Sequence, residues 1–147
     1  GCLMSLISLD KYTKILEDLP IYCVDIIIKN DQEEYLLIKR NNEPKKGEWW
    51  VIGGRVLKGE TAKEAAIRKV KQETDLQVRK IEPFGFFELV NGENPFGLPF
   101  NYHTISVVFM AVTDDYQQVN LDDQSSEFKF AKKLPKEFNV QTFKEVI

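Results

Sequence analysis

The sequence predicts an α/β domain, on the strength of three stretches. Tyr22 to Ile28 is an apolar, β-branched run of the kind found in a strand buried on both faces. Tyr102 to Val112 is a second convincing strand. Between them, Thr61 to Thr74 reads as a helix. Ala62, Ala65, Ala66 and Val70 share one arc at about 100° per residue. Thr61 and Glu64 have the spacing of a capping box.

In order along the chain, residues 8 to 18 place Leu9, Tyr12, Ile15 and Leu16 at helical spacing, with Pro20 closing the segment. Lys29 to Gln32 is a turn cluster, so Tyr22–Ile28 and Glu34–Lys39 make a hairpin. Asn41 to Gly47 is a polar loop leading into Trp49-Trp50-Val51-Ile52, where at least one tryptophan is expected to pack in the core. Gly53-Gly54 predicts a sharp backbone turn and a close approach of the main chain. Val78–Ile81 and Gly85–Val90 are strand material, and residues 91 to 99 form a turn-rich loop. A last strand is expected at Phe128-Lys129-Phe130, then a C-terminal helix from Leu134 to Ile147.

Composition bounds the function. A chain of 147 residues that is 43% hydrophobic has apolar material for one core, so one domain spanning 1–147 is expected. Twenty basic against 23 acidic residues give a net charge of -3, which argues against a nucleic-acid polymer or an anionic membrane as partner. Cys2 and Cys23 offer neither a disulfide framework nor a paired metal motif, and Cys23 reads as a small buried hydrophobe. No signal-like segment or long apolar stretch is present, and a cytoplasmic protein is the expectation.

The helix carries an anomaly. Glu73 projects into the middle of its apolar arc, where a carboxylate is costly unless a cation or hydrogen bonds meet it. Either it reaches water at a fraying end, or it is a metal ligand at the lip of the core. Asp25 similarly interrupts the first strand and, taken singly, is a buried carboxylate satisfied by local donors. His103, the only histidine, reads as structural.

Gly54, Glu60, Arg68 and Glu73 fall in the frame of the Nudix box, and the chain is identified as resembling the Nudix hydrolase family. That resemblance implies an α/β Nudix fold, a mixed sheet sandwiched between helices. Lys69, Gln72 and Asp75 stand where the box has two glutamates and a glycine, so one of three customary acidic ligands remains. The branch of GDP-mannose mannosyl hydrolases departs similarly, and the likeness to it extends over Leu19–Asp25, Leu36–Arg40, Gly47–Trp50, Gly53–Val56, Gly85–Phe87 and Phe100–His103.

The resemblance implies a magnesium-dependent hydrolase of a nucleotide sugar. Water attacks the anomeric carbon and the nucleoside diphosphate leaves. It assigns one Mg²⁺ ion, or Mn²⁺ in its place, to Glu73, Gln124 and the Gly53 carbonyl, an all-oxygen set. Asp25, Arg40 and Arg55 are implied to hold substrate, the guanidiniums providing planar donors for the diphosphate. Glu60 and Arg68 order the loop, with Arg68 also near phosphate, and a homodimer is implied. Ser125 stands where the branch has its histidine base, Thr104 where it has a tyrosine, and Leu89 where it has another histidine. Asp123 and Glu127 are the nearest replacement bases, though each reads better as a solvated loop charge. The alternatives are attack at phosphorus on another nucleoside diphosphate derivative, and a binding module that has lost the chemistry.

Overall fold

The computed structural model describes residues 7–41, 46–92, 94, 97–114, 119–121 and 125–146. Helix α1 (Leu9–Asp18) starts at Ser8, whose side chain accepts from the Lys11 amide. Strand β1 (Ile21–Lys29) follows and is the centre of the sheet. One edge of it pairs in parallel with β6 (Tyr102–Val112), from Ile21 opposite Thr104 to Lys29 opposite Val112. The other edge is shared. Lys29 meets Tyr35 at the start of β2 (Tyr35–Arg40), and Cys23 to Ile26 meet β4 (Ile52–Arg55) antiparallel. Flanked on both edges and covered on both faces, Val24 to Ile28 are all buried, the interrupting Asp25 included.

The sheet order is β3 (Trp49–Trp50), β2, β1, β6, β5 (Arg79–Gly92), β8 (Gln141–Thr142), with β7 (Ser125–Ala131) also on β2. Helix α2 (Ala62–Thr74) covers one face, where Ala65, Ala66 and Val70 pack against Val24, Ile26 and Ile52. The opposite face carries a second cluster around Ile27, Trp50, Val51, Val108 and Phe138. Trp50 is therefore the core tryptophan, whereas Trp49 lies under the Lys129 ammonium, 4.4 Å from its ring centre. Arg79 to Gly92 is one long strand, not two pieces of strand material.

Two expectations need correction. Gly53 and Gly54 lie inside β4, opposite Asp25 and Val24, and make no turn. The turn belongs to Gly59, whose φ of 94° is glycine's territory. The close approach does exist. A Cβ on Gly53 would sit 2.6 Å from the Val24 carbonyl oxygen and overlap Asp25, and one on Gly54 would sit 2.5 Å from Lys69 Cε. The long C-terminal helix is also absent among the described residues. Phe138 turns inward onto Trp50 and Phe87, Gln141–Thr142 pair with β5, and only Phe143–Val146 (α3) are helical. Burying an aromatic ring and satisfying an open strand edge outweigh the weak local helix signal there.

Candidate active site

The loop before α2 is fastened by one arginine. Arg68 donates from Nη2 to Glu60 Oε1 at 2.7 Å and from Nε to Oε2 at 3.1 Å, a bidentate fork. Nη2 also donates to the Arg55 carbonyl at 3.0 Å, and Nη1 to Gln72 Oε1 at 3.4 Å. Glu60 Oε1 in turn accepts from the Leu57 amide at 2.8 Å. One guanidinium thus ties the loop and the end of β4 to the helix, and its hydrogen bond holds the Glu60 carboxyl below its ordinary value. The helix start is fixed by the reciprocal Thr61–Glu64 box, with bonds of 3.1 and 2.9 Å.

One turn on, the same helix buries two charges. Glu73 is fully buried, which rules out the reading in which it reaches water, and Lys69 is only 2% exposed. Lys69 Nζ lies 3.9 Å from Glu73 Oε1, a charge pair too long for a hydrogen bond. The lysine stem runs over β4 in the space left by the missing Gly54 side chain.

Asp25 fills the equivalent space at Gly53. Burial pushes its carboxyl up to about 7. A Ser106 hydrogen bond and the Arg40 charge oppose that rise, and the nearby Glu73 charge adds to it. Asp25, Arg40 and Glu73 therefore share one electrostatic neighbourhood. Arg55, opposite Cys23 at the end of β4, lies with its guanidinium carbon 4.6 Å from the Tyr12 ring centre, so α1 reaches this arginine. Burial, with the Asp25 charge adding, pushes the Cys23 thiol up to about 12, although the residue as a whole is half-buried and not the fully buried hydrophobe expected.

Of the remaining sequence-expected residues, Gln124 and Asp123 lie outside the described residues. Ser125 pairs with Arg40 across β7 and β2. Glu127 is exposed and 4.0 Å from Lys39, a solvated charge pair. Thr104 and Leu89, two departures from the resembled branch, are direct partners across β6 and β5. Sequence reasoning missed Ser106 and Tyr12, which meet the site only through tertiary register. The burial of Lys69 had a signal, its i to i+4 spacing from Glu73 on the apolar arc.

The described residues do not by themselves fit a resident magnesium ion. No three His, Cys, Asp or Glu side chains among them gather to hold a metal. Glu73 is the right kind of hard oxygen donor, yet the group nearest it on its own helix is an ammonium.

A model of the NUDIX domain matches residues 20–142. The chain belongs to the Nudix family. Helix α1, which supplies Tyr12, lies ahead of the matched Nudix segment. Among curated proteins, the chain is 31% identical over 120 residues to the low-salt glycan biosynthesis protein Agl8 of Haloferax volcanii, covering 82% of this chain and 76% of that protein. It is 36% identical over 130 residues to the ADP-ribose pyrophosphatase of Methanocaldococcus jannaschii, covering 88% and 72%. The Nudix domain of Shewanella oneidensis NrtR, crystallised with ADP ribose, superposes with a TM-score of 0.63 at 20% identity, covering 81% of each chain, and shares the fold. Nudix-type hydrolysis of a nucleoside diphosphate joined to another group is thus supported at the level of the family.

Proposed function

We propose that the protein hydrolyses a nucleoside diphosphate sugar, of the GDP-mannose kind, by attack of water at the anomeric carbon. The observation that carries this is the gathering of Arg40 and Asp25 with Glu73, next to Arg55 and beside a glycine-lined strand. Arg40 and Arg55 bring permanent positive charge to a diphosphate, which becomes the leaving group when the sugar C–O bond breaks. Asp25 accepts a hydrogen bond from a substrate hydroxyl. Arg68 acts through position, because its donors on Glu60 and the Arg55 carbonyl fix the strand end that carries Arg55. The resemblance to the GDP-mannose branch and the 31%-identical glycan biosynthesis relative both support a sugar-bearing substrate.

A second reading, attack at phosphorus, is favoured by the 36%-identical relative named an ADP-ribose pyrophosphatase. Turnover of nucleotide sugars and ADP-ribose in ¹⁸O-water, followed by mass spectrometry, separates the two. Label in the free sugar is the expected result. Label in a phosphate product would overturn sugar-carbon attack in favour of the second reading.

A further inference from the structure

We propose that Tyr12 is a positioning residue that holds the Arg55 guanidinium ready for a nucleoside diphosphate. Helix α1, which lies ahead of the matched Nudix segment, is thereby part of the substrate site. This rests on the reading of Arg55 as a diphosphate-binding group.

Arg55 is held at its backbone and at its side chain. Its carbonyl accepts from Arg68 Nη2 at 3.0 Å, and the next amide, that of Val56, donates to the Tyr22 carbonyl at 3.0 Å. The end of β4 is therefore tied to α2 and to β1. The side chain is met from α1. Leu16 is the buried residue of that helix, and the half-buried Tyr12, one turn before it, points the same way. Its ring centre lies 4.6 Å from the guanidinium carbon. Arg55 pairs with Cys23 and Gly53 with Asp25, so Cys23, Asp25 and Arg55 share one face of the sheet. The start of β6 joins this neighbourhood. Burial pushes the Tyr102 hydroxyl above its ordinary value, with Cys23 and Tyr12 adding and Arg40 and Arg55 opposing.

The chemistry of the partner matters. Glu60 offsets the charge of Arg68, and a carboxylate set on Arg55 would compete with a diphosphate in the same way. Tyr12 does not. Burial pushes its hydroxyl above the ordinary value against the opposing charge and hydrogen bond of Arg55, so the ring stays neutral. A neutral ring attracts a guanidinium and leaves its positive charge in place. Phosphate oxygens are met by N–H donors in the guanidinium plane, so the ring contact and a diphosphate contact are compatible. Pinning a flexible arginine before the ligand arrives removes part of the ordering loss that binding otherwise carries.

Calorimetric titration with GDP and with ADP, at fixed Mg²⁺, tests this without turnover. Tyr12→Leu keeps apolar bulk but no ring, and should weaken binding of the better nucleotide about 10-fold at unchanged stoichiometry. Tyr12→Phe retains the ring and should bind within about 3-fold of wild type. In an Arg55→Met background, Tyr12→Leu should add no further loss, because its effect passes through Arg55. Wild-type affinity in Tyr12→Leu, a lowered stoichiometry at wild-type affinity, or an undiminished loss in the Arg55→Met background would each overturn the proposal. Binding that survives Arg55→Met, or that is absent from the wild type for both nucleotides, would overturn it together with the reading of Arg55. A loss in Arg55→Met with none in Tyr12→Leu would overturn the proposal alone.

Discussion

Helix α2 contributes adjacent cations, Arg68 and Lys69, to two ion pairs that differ in physics. Arg68 and Glu60 are partly exposed, meet at 2.7 Å, and hydrogen-bond through two atoms on each side. Lys69 and Glu73 are almost wholly buried and stand 3.9 Å apart. The first pair is satisfied and architectural. In the second, two buried charges face each other across a gap too long for a hydrogen bond. Adjacent residues on one helix thus sit in different settings, Arg68 holding the loop from a partly exposed position and Lys69 buried beside Glu73.

The sharpest way to break the comparison is to remove the buried ammonium. Lys69→Met should lower unfolding free energy by about 3–5 kcal/mol, the usual effect of deleting one member of a buried charge pair. Lys69→Met/Glu73→Leu should recover most of the loss, because an apolar pair of similar volume costs little there. Urea melts of the two variants check this. A Lys69→Met loss below about 1 kcal/mol would put the pair in the same class as a surface bridge.

The two regions should also answer pH with opposite sign. Asp25, beside the buried pair, has its carboxyl raised from 3.8 to about 7, first by desolvation. Between those values the unfolded chain loses this proton before the folded one does, so stability falls as pH rises from about 4 to 7. Asp25→Asn removes that slope, and its advantage over wild type should grow to a few kcal/mol across the window. Glu60 is lowered by Arg68, so its contribution is present above the ordinary value of 4.5 and disappears as pH falls through the lowered one. Glu60→Gln should therefore matter at pH 7 and cease to matter in acid. Urea melts from pH 3 to 8 read both slopes, and parallel profiles for Asp25→Asn and wild type would refute the Asp25 assignment.

What the sequence made legible was mostly local. Thr61 and Glu64 announce a capping box because both bonds lie within one turn. Glu73 shares an arc with Ala66 and Val70, which pointed it inward, but one helix alone left open whether it reached water; the strands packed on that arc decide for burial. Gly53-Gly54 was legible as a place of close approach but mistaken for a turn. The groups that crowd it, Asp25 and Lys69, arrive from a different strand and from the helix. Phe138 drew the C-terminal segment out of the expected helix through contacts with Trp50 and Phe87, which no local pattern encodes. The site follows the same rule. Arg40, Arg55 and Asp25 are expected from a family pattern, whereas Ser106 and Tyr12 meet Asp25 and Arg55 through register and helix placement.

The smallest expected effect sharpens the comparison from the architectural side. In Arg68→Lys, an ammonium can still approach Glu60, so the charge pair survives. It cannot reproduce the planar fork on both Glu60 oxygens while also reaching the Arg55 carbonyl. The loss should be about 1–2 kcal/mol, the scale of one or two hydrogen bonds to charged groups, read from the urea midpoint at unchanged slope. Binding of a nucleoside diphosphate should weaken as well, since the Arg55 strand end loses its tether. If Arg68→Lys instead destabilised the protein as much as Lys69→Met does, the exposed fork would count for no less than the buried pair, and the contrast along the helix would be lost.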